Sequence, residues 1–460
     1  MIDPRLFREY DVRGRAPEAL SPRVAERVGG ALGTRIRAAG GTDVVLGRDV
    51  RESSPALADA AASGLAATGL DVLDLGVAPT PVVYHAAWRL NAGGAVMVTG
   101  SHNPVGDNGL KLCLGPRSLY GDAVRSLRVE AEAGAFATGR GRRLDASDHA
   151  ARYLDEIVGL FRFRRRFRAT VDCGNGVMGP FVRAAFERLG VALDPLFFEP
   201  DGTFPNHLPD PEAPKSMETL RRRVVDVGVD LGFGFDGDGD RVGVVDERGV
   251  KISADRLAAV YARDVLREHP GGVVRFDVKC GDFLADAVRA AGGRPVMGKT
   301  GHSLLKRDVE ELDAVFGGEL SGHMVWNRGY LPIDDSLYAA LRLLRILDAV
   351  DGPVSALFAD LPATVSTAEI KVPCADDAKF AVVEALTARF RKTHDVFDLD
   401  GARVRTPGGW FLVRASNTTP NLTVRFEAAT REALLAARDE LATALRDHPE
   451  ADGAPLFDEV

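Results

Sequence analysis

Residues 43–76 read DVVLGRDVRESSPALADAAASGLAATGLDVLDLG. A short apolar strand comes first, then a loop opening at Asp49, an Ala-rich helix, Gly69 and a second apolar strand. This is a βαβ unit, and the chain repeats it twice. Residues 169–198 (ATVDCGNGVMGPFVRAAFERLGVALDPLFF) place Asp172 and Gly190 in the same roles, and residues 273–298 (VVRFDVKCGDFLADAVRAAGGRPVMG) place Asp277 and Gly292 there. Each glycine serves as the helix C-cap, where a left-handed residue ends the helix. Three spaced copies predict three similar α/β domains with mixed sheets, in preference to one large doubly wound sheet.

The tail has a different pattern. A helix over 376–392 and a second over 431–448 flank a run of hairpin-like strands between 395 and 430. That pattern predicts a smaller C-terminal α+β domain, entered through the linker LFADLPATVSTAEIKVP at 357–373. The expected boundaries are 1–150, 151–252, 253–364 and 365–460.

Composition narrows the function classes. The 460 residues carry 58 Lys and Arg against 66 Asp and Glu, a net charge of −8 that disfavours coating nucleic acid or an anionic membrane. Cys113, Cys173, Cys280 and Cys374 are widely spaced, which suits reduced thiols better than disulfides or zinc. The start MIDPRLFREYD lacks the apolar core of a signal peptide, and no apolar run approaches the ~20 residues that span a bilayer. The expectation is a cytoplasmic protein.

Four loops carry chemistry. In VMVTGSHNPVGDNGLKL (96–112), Ser101 lies between Gly100 and His102, with Lys111 ten residues on. Glycine lets another group come close, but a serine hydroxyl needs a base or metal to act as a nucleophile. Read alone, the loop fits a solvated turn equally well. In GFGFDGDGDRVGVVDERG (232–249), Asp236, Asp238 and Asp240 alternate with glycine, and hard oxygen ligands of this kind suit Mg²⁺ or Ca²⁺. An EF-hand is excluded, because Arg241 stands where that loop needs glycine and the flanks read as strands. In GGELSGHMVW (317–326), Glu319, Ser321 and His323 could face sugar hydroxyls, and a surface turn explains them as well. In FLVRASNTTPNLTVRFEA (411–428), Arg414, Ser416, Asn417, Thr418 and Thr419 gather a guanidinium, hydroxyls and backbone N–H groups suited to a phosphate dianion. Tyr10 and Arg13 in FREYDVRG, Lys279 in DVKCG and His302 in KTGHS are weaker candidates.

Taken in order, TGSHNP, DGDGDR, GELSGH and RASNTTP resemble the α-D-phosphohexomutase superfamily, one motif per domain. FREYDVRG, EPDGTFPNHLPDPEAP (199–214) and the pair DVKC and KTGHS resemble its bacterial phosphomannomutase/phosphoglucomutase branch, over about residues 7 to 446. The resemblance implies four domains around a central cleft and an intramolecular phosphotransferase. Such an enzyme interconverts hexose 1-phosphate and hexose 6-phosphate through a phosphoserine and a hexose 1,6-bisphosphate.

Carried over residue by residue, the resemblance makes Ser101 the phosphoserine and has Asp236, Asp238 and Asp240 hold Mg²⁺ with it. Lys111, Arg13, His102 and Arg241 then line the transfer site. Glu319 and Ser321 would bind sugar hydroxyls, with Tyr10, His323, Lys279 and His302 nearby. Arg414, Ser416, Asn417, Thr418 and Arg425 would grip the other phosphate. Leu331-Pro332-Ile333 departs from the family, where an aromatic-glycine stretch is expected before the paired Asp334 and Asp335. The implied cofactors are Mg²⁺ and glucose or mannose 1,6-bisphosphate as activator. The implied partners are small-molecule sugar phosphates, with no nucleic acid or membrane, for a monomer or small homo-oligomer. A phosphoglucosamine mutase is the first alternative, followed by a Mg²⁺-dependent sugar phosphatase and a non-catalytic sugar-phosphate sensor.

Overall fold

A computed structural model describes residues 1–416 and 419–458, and among them the chain forms four separate sheets. The first runs Val12–Arg15, Asp107–Leu114, Gly94–Val98, Asp43–Arg48, Asp71–Val77, Arg143–Asp145, with Arg117–Ser118 also paired to Asp107–Leu114. The second runs Lys251–Ile252, Val242–Asp246, Leu231–Phe235, Arg168–Asp172, Ala192–Leu196. The third runs Arg294–Gly298, Val273–Asp277, Phe316–Gly318, Met324–Trp326.

These three sheets share one plan. In each, the first two strands of the βαβ unit pair in parallel and the third joins the first on its other side, also in parallel. A fourth strand then returns antiparallel to the third. Helices cover both faces of such sheets, so central strands such as Gly94–Val98, Leu231–Phe235 and Val273–Asp277 are buried at every residue. The predicted glycines all have left-handed φ, at +94° for Gly69, +69° for Gly190 and +77° for Gly292. Only Gly190 is itself the cap. Thr68 and Ala291 cap the other two helices, and Gly69 and Gly292 follow one residue later.

The fourth sheet is antiparallel throughout: Val365–Ser366, Asn421–Ala428, Gly409–Ala415, Ala402–Thr406, Val396–Phe397, with Ile370–Pro373 also paired to Asn421–Ala428. Helices Lys379–Phe390 and Arg431–Leu445 pack on it. The segment expected to be a linker therefore supplies two of its strands. The alternation Ile370 and Val372 inward, Lys371 and Pro373 outward, is what makes so polar a stretch a strand.

The cores explain which parts hold together. One large apolar cluster runs from Val45 through Phe233 to Leu344 and joins the first three units, whereas the fourth sheet has a core of its own. A small apolar seam of Val278, Trp410 and Leu412 joins that fourth unit to the third, beside polar contacts such as Arg403 with the Val278 and Cys280 carbonyls and Asp282. Among the described residues, no helix is long and apolar enough to cross a membrane.

The four motif loops occupy equivalent places. Each is the tip of the hairpin between antiparallel partners, bounded by the pairs Val98↔Leu110, Phe235↔Val242, Gly318↔Met324 and Ala415↔Leu422.

Candidate active site

Ser101 sits at the first hairpin tip, buried, with φ +49°. A non-glycine residue in that region costs roughly 1–2 kcal/mol, so the surroundings must hold it there. Its amide donates to Thr99 Oγ1 at 2.8 Å, and Thr99 Oγ1 in turn donates to Asp49 Oδ2 at 2.9 Å. The fully buried Arg51 guanidinium donates to the carbonyls of Ser101 at 2.8 Å, Asn103 at 2.6 Å, Pro104 at 2.6 Å, Val105 at 3.2 Å and Asp107 at 2.9 Å. Its Nε lies 3.4 Å from Asp49, and its face lies 5.0 Å from the Phe204 ring centre. Gly100 is required by this clamp, because a Cβ there would lie 2.4 Å from Arg51 Nε. The close approach that glycine permits is thus made by a guanidinium behind the loop.

The second tip meets the first. Ser101 Oγ donates to Asp236 Oδ2 at 2.8 Å and lies 3.1 Å from His102 Nδ1. Asp236 Oδ1 accepts the amides of Gly239, Asp240 and Arg241 at 3.0–3.1 Å, which folds the turn around it. Lys111 Nζ bridges Asp238, at 2.6 Å, and Asp240. Thr80 braces the same turn, donating its amide to the Asp238 carbonyl at 2.8 Å and its hydroxyl to the Asp238 carboxylate. Ser336 donates its hydroxyl to the Gly239 carbonyl.

Charge in this pocket is severe. Burial, with Asp240 and Asp238 beside it, pushes the Asp236 carboxyl well above the usual range. Against burial, Lys111 holds the Asp238 and Asp240 carboxyls low. Burial, with the guanidiniums of Arg241 and Arg13, pushes His102 far below the usual imidazole range and keeps it neutral. The three carboxylates offer oxygens within 4.8 Å of one another, and the buried Asp238 Oδ1 and Asp240 Oδ1 have no hydrogen-bond partner. Hard, orphaned oxygens converging on one point fit a divalent cation.

The third tip closes on the second. Arg241 Nε donates to His323 Nε2 at 3.0 Å, and His323 Nδ1 faces Asp334 Oδ2 at 3.1 Å. Lys306 donates to Asp334 Oδ1 at 2.7 Å and to His302 Nδ1 at 3.1 Å, and the His302 and His323 rings stack at 5.4 Å. Glu319 accepts the Gly301 amide at 2.7 Å and the Ser321 hydroxyl at 3.0 Å. Directly after Leu331-Pro332-Ile333, Asp334 turns into this cluster, while Asp335 caps helix Ser336–Asp348 by accepting the Tyr338 amide.

The remaining candidates lie along a chain of contacts to the fourth sheet. Arg13 donates to Asn103 at 2.9 Å and pairs with Asp11 at 2.7 Å. Tyr10 donates its hydroxyl to the Thr300 carbonyl, the Thr300 amide donates to Asp400 at 3.0 Å, and Asp400 pairs with Arg414 at 3.2 Å. Ser416 Oγ and Thr419 Oγ1 lie 2.8 Å apart. Lys279 pairs with Glu369 at 2.6 Å, and Arg425 donates to the Lys279 carbonyl. Asn417 and Thr418 lie outside the described residues. Sequence reasoning missed Arg51, Thr80, Lys306 and Glu369. Arg51 carried the best signal, an arginine two residues after the loop-opening Asp49.

Comparison with known proteins agrees with this geometry. Family profiles described as phosphoglucomutase/phosphomannomutase alpha/beta/alpha domains I, II and III match residues 4–126, 151–249 and 253–365, and that of the C-terminal domain matches 369–444. A phosphomannomutase/phosphoglucomutase of Pseudomonas aeruginosa is 42% identical over 430 residues, 93% of each chain. A phosphoglucomutase of Neisseria gonorrhoeae is 38% identical over 448 residues, 96% of this chain and 97% of its own. The crystal structure of a phosphoglucomutase/phosphomannomutase family protein from Burkholderia thailandensis superposes with a TM-score of 0.91 at 39% identity, over 98% of this chain and 99% of that one.

Proposed function

The chain belongs to the phosphoglucomutase/phosphomannomutase family, and we infer from that premise that it is a phosphohexomutase interconverting the 1-phosphates and 6-phosphates of mannose and glucose. One observation carries the site assignment: Ser101 Oγ lies 2.8 Å from Asp236, in a turn whose other two carboxylates each keep a buried, unpartnered oxygen. Ser101 carries the phosphoryl group and exchanges it with O1 or O6 of the sugar. A phosphoserine near −2 beside three carboxylates totals about −5, which demands compensating cations. Lys111, Arg241 and Arg13 supply part of that charge. Asp236, Asp238 and Asp240 would hold Mg²⁺, which supplies the rest and polarises the transferring phosphoryl group.

Neutral His102, with Nδ1 3.1 Å from Ser101 Oγ, is placed to exchange a proton with that oxygen. Glu319 and Ser321, with Tyr10, His302 and His323, orient the sugar. Arg414, Ser416, Asn417, Thr418 and Arg425 receive the phosphate that is not reacting, and Lys279, expected beside the sugar hydroxyls, joins them because it faces Glu369 and its carbonyl is held by Arg425. Because the bisphosphate must turn round between the two transfers, the distal loop has to accept either phosphate. The separate core of the fourth sheet and its small apolar seam to the third suit a unit that closes over the substrate and excludes water. We propose that the four units divide at 1–150, 151–252, 253–364 and 365–460.

The test is a coupled assay of the purified protein on mannose, glucose and glucosamine 1-phosphates, with Mg²⁺ and catalytic hexose 1,6-bisphosphate added. Turnover of the mannose and glucose esters is expected. Turnover of glucosamine 1-phosphate alone would refute the reading.

A further inference from the structure

The cations assigned to the distal phosphate are already paired with protein carboxylates. Arg414 faces Asp400 at 3.2 Å and Lys279 faces Glu369 at 2.6 Å. The two carboxylates are held differently. Asp400 also accepts the Thr300 amide at 3.0 Å, so it is anchored to the neighbouring unit. Glu369 stands between the short strands Val365–Ser366 and Ile370–Pro373, its side chain 35% exposed, and among the described residues Lys279 is its ion-pair partner. Lys279 has no such freedom, with its side chain only 6% exposed. Lys279, together with Arg414 and Arg425, holds the Glu369 carboxyl down at about 2, so it is ionised at neutral pH.

We propose that Glu369 is a placeholder anion: it holds Lys279 while the distal site is empty, yields to the sugar's non-reacting phosphate, and returns when that phosphate leaves. The proposal rests on reading Lys279 and Arg414 as phosphate holders. A phosphate dianion has more charge and more acceptor oxygens than a carboxylate, so it displaces Glu369 from Lys279. When the bisphosphate detaches in order to turn, Lys279 would otherwise be left buried with only the more distant Asp277, at 3.8 Å, as counter-ion, which is unfavourable. Return of Glu369 removes that penalty. The residue weakens ground-state binding and eases release, acting on substrate only through Lys279. Glu369 is therefore a positioning residue.

The experiment is calorimetric titration of the full chain with inorganic phosphate, comparing wild type, Glu369→Gln and Glu369→Asp, each also in a Lys279→Ala background. Glu369→Gln is expected to tighten phosphate binding at least fivefold, and Glu369→Asp to restore wild-type affinity. The gain should vanish in the Lys279→Ala background, because Glu369 competes with phosphate only through Lys279. In the mutase assay, Glu369→Gln should lower KM and kcat together, a split that simple loss of packing would not produce. Phosphate affinity unchanged or weakened in Glu369→Gln, or a gain that persists with Lys279→Ala, overturns the proposal. Wild-type enzyme that exchanges phosphate in this way yet fails the mutase assay would instead refute the functional reading alone.

Discussion

Ser101 Oγ donates a hydrogen bond to Asp236 Oδ2 across 135 residues of sequence, 2.8 Å between two different sheets. The contact joins the loop that would carry the phosphoryl group to the turn that would hold the metal. Placing a phosphate on that oxygen sets a dianion directly against Asp236, which is why the site must be organised around cations.

Active protein should carry one phosphoryl group on Ser101. Intact mass should show it, and Ser101→Ala should lack both the added mass and the mutase activity. An Ala variant with full activity would remove Ser101 from the reaction.

Asp238→Asn should lower activity by orders of magnitude while leaving folding nearly intact, because Lys111 keeps its contact with Asp240. Chelation by EDTA should abolish turnover, and Mg²⁺ should restore it. Undiminished turnover in chelator, or rescue by Zn²⁺ alone, would contradict a hard-cation site of three carboxylates.

Arg51→Ala should destabilise the protein by about 3–5 kcal/mol, since it strips a buried Asp49 of its ion-pair partner and five carbonyls of a donor. Urea unfolding followed by circular dichroism measures this. A loss below about 1 kcal/mol would mean that the Ser101 loop holds its left-handed turn without the guanidinium.

Arg414→Ala should weaken hexose 1-phosphate and hexose 6-phosphate alike, by roughly 1.5–3 kcal/mol each, since one loop must hold the distal phosphate in both poses. Steady-state kinetics in the two directions decide it. Impairment of a single isomer would mean that the sugar does not turn within a shared site.

Glucose and mannose 1-phosphates should have kcat/KM values within about two orders of magnitude of each other, because a site that neither contacts nor crowds C2 discriminates weakly there. Glu319→Gln should lower both by similar factors. Its two oxygens take the Gly301 amide and the Ser321 hydroxyl, which sets the sugar loop for either epimer. A ten-thousandfold preference would reveal a residue that reads C2.

The repeating βαβ units were legible because strand, helix and glycine spacing are local properties, and Asp236, Asp238 and Asp240 because alternating glycine and aspartate has few other uses. Residues that act across the chain were not legible. Arg51 reaches five carbonyls between 101 and 107, Thr80 reaches Asp238, and Lys306 reaches Asp334, and nothing in their neighbours announces those partners. Glu369 was hidden differently. Its segment has the polar, proline-bearing look of a linker, and only pairing with Asn421–Ala428 turns the adjoining residues into strand.

Suspending every motif loop between paired neighbouring strands has a mechanical consequence. The two ends of each loop are held about 5 Å apart by the ladder, and the shortest, 319–323, spans only the gap from Gly318 to Met324. Such a loop has no slack with which to follow a rotating sugar. Adjustment must come from displacement of whole sheets as stiff plates, each carrying its loop with it. The same geometry makes the loops modular: a segment of equal length from a relative could be spliced onto the same strand ends, transferring its sugar contacts without disturbing the plate beneath.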